Sequence, residues 1–425
     1  MVGLQRRAFR PFVRTGGTNE NRFVILLCSA ACLSVSGSIY IWSVFNIPLA
    51  EAHNWEIGQV AFAYSLFLLV STVSFILAGS LLRRIPPRVM MLAAGIGVVV
   101  GWFIAGSAQT IPMLYLGFGI IAGFADGFVY NAALSTAQAW FPDRRGFASG
   151  VCLGAVGLVP MIFAPLGNFL IERFNVSMSF YICAALFLCI FLLFAPHLRF
   201  PEEGWTPVGW TPDKSEVISS PVNLPTRTVL RQPLFWLMWV MMLTATSTGL
   251  MLSGHTSNIG QQMVGITASE AALQVSFLAL ASFLGRVCFG TLSDKIGRCL
   301  TVGILMGVTA LDLLVGFRLV DNFASFSAVL CIAGACFGGV MAVMPALCAD
   351  VFGATYFGQN YAWLYSGYTC ASLLGPTLAV QSLAQTGAYQ MAFTLSGVIA
   401  ILAIFLSAIV WKNSTRFIQR MSKTA

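Results

Sequence analysis

The sequence predicts an all-α integral membrane protein: twelve transmembrane helices in two pseudo-symmetric halves of six. Three observations predict it. Charged residues make up only 9% of the 425 residues, whereas a soluble domain carries about 25%, so the chain lacks the polar surface of a water-soluble fold. Its apolar residues gather in long blocks, each near the ~20 residues that a bilayer crossing needs. Segments of the first half also recur in the second at one constant spacing.

Twelve blocks meet the length requirement, at 23–47, 57–82, 89–107, 111–139, 147–174, 178–195, 235–260, 269–293, 300–320, 324–350, 358–383 and 389–411. Residues 1–22 are polar and basic, and the run behind them is long and lacks a small-residue cleavage site. It is therefore read as a retained first span behind a tail, not as a signal peptide. After the sixth block comes a polar, proline-rich linker, 197–230. It separates a first half, 23–196, from a second half, 231–411, which ends in a tail, 412–425.

Orientation follows from the basic residues. Of the 23 Lys and Arg, 20 fall in the tails, the linker and the loops on that side. Arg173 and Arg318 fall on the other side and Arg286 inside a block. This bias puts both termini and the linker in the cytoplasm. The net charge of +8 is thereby a topology signal, and no nucleic-acid partner is expected. The cysteines lie almost entirely within apolar runs and form no CxxC pair or Cys/His cluster. Neither a metal site nor a disulfide framework is expected, and no cofactor.

The repeat is explicit. "IAGFADGFV" (121–129) matches "IAGACFGGV" (332–340) at five positions, an offset of 211. "GSLLRRIPPR" (79–88) and "GTLSDKIGRC" (290–299) share that offset, as do Phe141 with Phe352 and Pro165 with Pro376. A parallel duplication of six helices places a site between the halves near mid-membrane.

Twelve helices, a long central loop and "GTLSDKIGR" together resemble the major facilitator superfamily, whose loop signature G-x-L-x-D-[KR]-x-G-R is met at every fixed position by Gly290–Arg298. The matching turn of the first half is degenerate, with Arg83 in place of the acid and Pro86 in place of the second glycine. "GSIYIWSVF" (37–45), "WFPDRRGFASG" (140–150), "LGRVCFGTLSDKIGR" (284–298) and "VFGATYFGQNYAWLYSGY" (351–368) further resemble the oxalate/formate antiporter family, a relative of the monocarboxylate transporters. The resemblance implies a multi-pass protein of the cytoplasmic (inner) membrane, a secondary transporter of small organic anions working as a monomer.

Three full charges lie deep within the blocks, away from their ends: Asp126, Arg286 and Asp312. A charge at the bilayer centre costs about 2.5–3.5 kcal/mol on insertion scales, so each needs a partner or a cavity. Arg286 lies eight residues from Asp294, about 12 Å along a helix. It is a permanent cation whose planar fork suits a carboxylate. It binds a substrate anion or pairs with an acid of the bundle; the resemblance implies the former. In the oxalate antiporter pattern a second cation, a lysine, stands eight residues after the asparagine of an "NY" pair, where this chain has Tyr368. One buried cation matches a monoanion and leaves a dianion uncompensated. A small monocarboxylate of the formate, lactate or pyruvate class is therefore expected.

Asp126 is the first candidate for proton coupling, with Phe337 as its repeat-mate; the alternatives are a partner for Arg286 or a helix-packing hydrogen bond. His255, near the outer end of the seventh block, is the second, against a plain cavity-facing role. Asp312, with Arg318 and Asp321 nearby, is expected to serve local structure. The resemblance places Tyr40, Tyr130, Phe337, Tyr365 and Tyr368 in an aromatic cage around the carboxylate, with Met341 at a position that is aromatic in the oxalate antiporter. Such aromatics also simply pack. Gly123 and Gly127, with mates Gly334 and Gly338, allow close helix approach. Asp294, Lys295 and Arg298, with Arg144 and Arg145 in the analogous loop, are read as gating residues.

No Walker-type phosphate loop is present, so transport is not expected to be driven by ATP. No catalytic constellation is visible and an enzyme is not expected. The expected partners are a small carboxylate, protons and the lipid bilayer. The alternatives are dicarboxylate antiport of the oxalate:formate type and a carboxylate sensor without net transport.

Overall fold

A computed structural model describes residues 20–202, 205–207 and 223–424. Residues 1–19 of the expected tail, and linker positions 203–204 and 208–222 with Lys214, lie outside the described residues. The described residues form long helices and no strands. Twelve long helical segments follow the predicted blocks closely. α1 has three parts, Glu20–Ser34, the 3₁₀ stretch Val35–Ile41 and Trp42–His53. α2 is Ile57–Leu81 and α3 is Pro87–Gly106. α4 joins Ile111–Leu114, a π-helical stretch Tyr115–Ala122 and Gly123–Trp140. α5 is Arg145–Arg173 and α6 is Val176–Phe194. α7 is Pro233–Val264, α8 Ala268–Ile296, α9 Arg298–Leu314, α10 Phe323–Phe352, α11 Phe357–Thr386 and α12 Gln390–Thr424.

Eleven of these helices are long and apolar enough to cross a membrane. The exception is α11. Its 30 residues suffice in length, but Gln359, Asn360 and a series of Ser, Thr and Tyr lower its apolarity. The expected tail from 412 is not separate: α12 runs on to Thr424, because "KNSTRFIQRMSKT" contains no Gly or Pro to stop it.

Local chemistry sets the ends. Capping boxes start α8 (Thr267 with Glu270) and α10 (Asn322 with Ser325). The Thr267 amide and hydroxyl both donate to the Glu270 carboxylate. Asn54 ends α1 in the left-handed region at φ 55, and Gly265 ends α7 at φ 69. These two positions are 211 apart, and both residue types tolerate that conformation.

The repeat recurs in packing. Gly123 and Gly127 of α4 lie against the backbone carbonyls of Phe67 and Ser71 on α2, while Gly334 and Gly338 of α10 lie against those of Leu278 and Ser282 on α8. All four pairs obey the offset of 211. A side chain at any of these glycines would overlap backbone, so the helices approach as closely as small residues permit. Two further contacts join the first six helices to the second six. Gly79 of α2 abuts the backbone of Gly358 and Gln359 on α11, and its mate Gly290 of α8 abuts the carbonyl of Gly146 on α5. Large apolar side chains such as Leu69, Leu193, Leu311, Leu373 and Phe405 face outward, a surface suited to hydrocarbon.

Candidate functional site

Three helices build the centre by stepping through the same four-residue interval. Phe75 on α2, Tyr130 on α4 and Tyr365 on α11 form an aromatic layer. Their ring centroids are 5.2 Å (Phe75–Tyr130), 5.3 Å (Phe75–Tyr365) and 5.2 Å (Tyr130–Tyr365) apart. Four residues along each helix, Ser71, Asp126 and Thr369 form a polar layer about 6 Å away. Ser71 Oγ donates to Asp126 Oδ2 at 2.8 Å, and Thr72 and Thr369 hydroxyls meet at 2.9 Å. A cavity of about 30 Å³ lies among these groups, room for about two water-sized groups. α2 and α11 contribute Leu68, Ser71, Thr72, Phe75 and Tyr365, Tyr368, Thr369, Ser372, the i, i+3, i+4, i+7 stripe of one helix face in each case.

α1 supplies Ser36 and Tyr40 from its 3₁₀ stretch. Ser36, Gly37 and Ser38 are poor α-helix formers, and Gly37 is pressed against the Val156 carbonyl of α5. Tyr40 Oη lies 3.0 Å from Tyr368 Oη, a hydrogen bond between the two sets of six helices. Tyr368 stacks on Tyr365 at 4.9 Å.

Arg286 is 6% exposed. Its Nη1 donates to the Leu153 carbonyl of α5 at 2.9 Å, and its Nε is buried without a partner. It forms no ion pair among the described residues. The guanidinium rests on Gly157, where a Cβ would overlap Nη1, and the adjacent Val156 lines the cavity. Arg286 is also the repeat-mate of Phe75, which puts it at the level of the aromatic layer. What this assembly offers is a small space walled by aromatic and polar groups, a fixed cation that no carboxylate among the described residues neutralises, and a carboxyl group one turn away.

One end of the molecule is tied shut below this site. Asp294 accepts the first amides of α5, from Gly146 and Phe147, at 2.9 Å each, and pairs with Arg298 at 2.5 Å. Free amides at a helix start attract a carboxylate. Asp350 takes Arg145 at 2.8 Å and Arg298 at 2.9 Å. Nearer the centre, Asn131 of α4 donates to the carbonyls of Phe75 (2.9 Å) and Gly358 (2.8 Å), bridging α2 and α11.

The predicted residues separate into groups. Tyr40, Tyr130, Tyr365, Tyr368 and Asp126 come together around the cavity, with Arg286 beside it. Phe337 and Met341 are buried, Phe337 packing on Gly249 of α7, and neither lines that cavity. Half-buried His255 lies outside it, its ring 6.1 Å from Tyr389. Asp312 is buried with Oδ2 unpartnered and makes no ion pair with Arg318. Arg145, Asp294 and Arg298 join the closed end, whereas Lys295 is exposed and Arg144 is 62% exposed beside Asp143 at 3.7 Å. Sequence reasoning missed Asp350, Asn131, the Arg22–Asp143 pair (2.9 Å) and the hydroxyl stripe of Ser71, Thr72, Thr369 and Ser372. The helical spacing of that stripe on two separate blocks was the available signal. Asn360 of the "NY" pair holds the end of the linker, accepting from Thr226 and donating to the Leu224 carbonyl.

Comparison with known proteins fits this architecture. The chain is 29% identical over 357 residues to the uncharacterized MFS-type transporter YhjX of Escherichia coli, covering 83% of this chain and 86% of the relative. It is 27% identical over 411 residues to the oxalate:formate antiporter of Oxalobacter formigenes, covering 96% of each. To monocarboxylate transporter 12 of Homo sapiens it is 24% identical over 433 residues, covering 95% and 80%. These relatives are transporters, not enzymes. The crystal structure of the E. coli fucose:proton symporter FucP superposes with a TM-score of 0.69 at 13% identity, covering 91% of this chain and 98% of that one, a likeness of fold. The family model for the Major Facilitator Superfamily matches residues 26–260 and 242–417. The helical fold and the match along nearly the whole chain agree, and the chain belongs to the Major Facilitator Superfamily.

Proposed function

We propose that the protein carries small monocarboxylates, of the formate, lactate or pyruvate class, across the cytoplasmic membrane by alternating access. All twelve helices span, both termini and the linker are cytoplasmic, and a single chain suffices. Residues 23–196 and 231–411 rock about the central cavity. Arg286 binds the carboxylate, and the aromatic layer excludes water so that this pairing is strong. The observation that carries the reading is the buried Arg286 guanidinium with no protein carboxylate among the described residues. A buried cation is tolerated when its counter-charge arrives with a ligand. Asp126 lines the same cavity and is the group to take up a proton with the substrate; His255 stands apart from it. Arg145, Asp294 and Arg298 close the cytoplasmic gate together with Asp350.

A second reading, dicarboxylate exchange, is favoured by the similarity to the oxalate:formate antiporter along 96% of each chain. It requires a second cation, and Tyr368 is engaged with Tyr40 where that cation would stand. The test is a competition panel of formate, acetate, lactate, pyruvate and oxalate in proteoliposomes, with and without a pH gradient. Monocarboxylates should outcompete oxalate, and Arg286→Gln should abolish uptake in a monodisperse protein. Preferential oxalate exchange would establish the second reading, and retained uptake by the variant would remove Arg286 from the site.

A further inference from the structure

We propose that the polar layer around Asp126 is a hydroxyl-recognising subsite, so that the transporter selects short hydroxy-monocarboxylates over unsubstituted ones. This deepens the monocarboxylate reading and rests on it. The argument is an inventory of protons. Ser71 Oγ gives its proton to Asp126 at 2.8 Å. Thr72 Oγ1 gives its own to the Leu68 carbonyl at 2.8 Å. Its contact with Thr369, at 2.9 Å, must therefore use the Thr369 proton. Ser372 Oγ donates to the Thr369 carbonyl at 2.8 Å. A hydroxyl has one proton and two lone pairs, so these four groups have spent their protons and keep only acceptor capacity. Donors remain: Tyr40 and Tyr368, in the same lining, share one hydrogen bond and so keep one proton between them, and the other is Ser36. It is 5% exposed, lines the same cavity, and its Oγ is buried without a partner.

A wall of acceptors with free hydroxyl donors beside it is matched by one simple group. A hydroxyl both donates and accepts, so it can donate to the Asp126 side and accept from Ser36 Oγ. A 2-oxo group only accepts, an ammonium only donates, and a methyl does neither, leaving buried polar groups unsatisfied. The spacing fits as well. Arg286 stands at the level of Phe75, and the polar layer lies four residues, about 6 Å, further along the helices. A carboxylate held by the arginine would thus present a hydroxyl on the next one or two carbons to Asp126 and Ser36. The small cavity leaves little room for a longer substituent.

The experiment measures inhibition of labelled lactate uptake in proteoliposomes by unlabelled lactate, propionate, pyruvate and alanine, which are close in size. Lactate should compete at least about tenfold better than propionate and better than pyruvate, the discrimination of about one buried hydrogen bond. Ser36→Ala and Thr369→Val, tested separately, should each bring the lactate-to-propionate ratio toward one. Equal competition by lactate and propionate would overturn the subsite while leaving monocarboxylate transport standing. Stronger competition by alanine would also overturn it, assigning the layer to an ammonium group. Failure of every acid to compete would remove the monocarboxylate reading as well.

Discussion

Replacing Gly157 by alanine should cost the protein most of its carboxylate affinity without changing any charged residue. Gly157 sits on α5 where a Cβ would overlap Arg286 Nη1 of α8. The two helices cannot separate to admit the methyl group. They are already packed closely on either side: a Cβ at Gly150 would overlap the Arg286 carbonyl, and one at Gly154 would lie 3.0 Å from the Phe283 ring. The guanidinium must therefore move and give up its 2.9 Å bond to the Leu153 carbonyl. A hydrogen bond from a charged donor contributes about 1.5–3 kcal/mol, which corresponds to about a 10- to 150-fold change in binding. The assay is the KM for labelled monocarboxylate in proteoliposomes, with the melting temperature measured in parallel. Gly154→Ala is the control, because its methyl would press on Phe283 and not on the arginine; its effect on KM should be several-fold smaller. An unchanged KM in a well-folded Gly157→Ala protein, or equal losses in both variants, would refute the idea that the glycine holds the arginine in position.

Asp350→Asn should leave Arg145 and Arg298 buried with a weakened partner. Breaking a buried pair costs about 3–5 kcal/mol, so the melting temperature should fall by several degrees and a cysteine reporter at the Asp294 end should label faster. Unchanged melting and labelling would show that this network does not hold the end closed. Asp126→Asn should abolish the stimulation of uptake by an inward proton gradient while substrate exchange continues. The sign follows from the proton entering with the anion; a variant with the parental pH dependence would return Asp126 to a packing role.

Much of the fold was legible because lipid imposes a simple rule: every helix needs a long apolar run, and such runs can be read directly. The offset of 211 was legible because close helix packing demands small residues at fixed positions, as at Gly123 and Gly334. Arg286 was legible for the opposite reason, since a permanent cation in hydrocarbon is too costly to keep without a purpose. The helix boundaries were less so. The continuation of α12 past Trp411 depends on the absence of breakers, not on apolarity.

The parts that escaped are those whose meaning lies in which side chains face each other. Asp350 looks like any acid at a helix end until Arg145 and Arg298 close on it from two other helices. Ser71, Thr72 and Thr369 read as ordinary mid-helix hydroxyls, and only their meeting across α2, α4 and α11 makes them one layer with Asp126. Phe337 and Met341 had the same standing as Tyr365 and Tyr368, yet only the tyrosines turn toward the described cavity. Periodicity and charge thus decide that the chain crosses a membrane, that it is duplicated and that one arginine lies deep within it. Packing decides which face of each helix turns inward, and hence which hydroxyls, rings and carboxyls surround the space beside that arginine, because rotation and register between helices arise from contacts far apart in the chain.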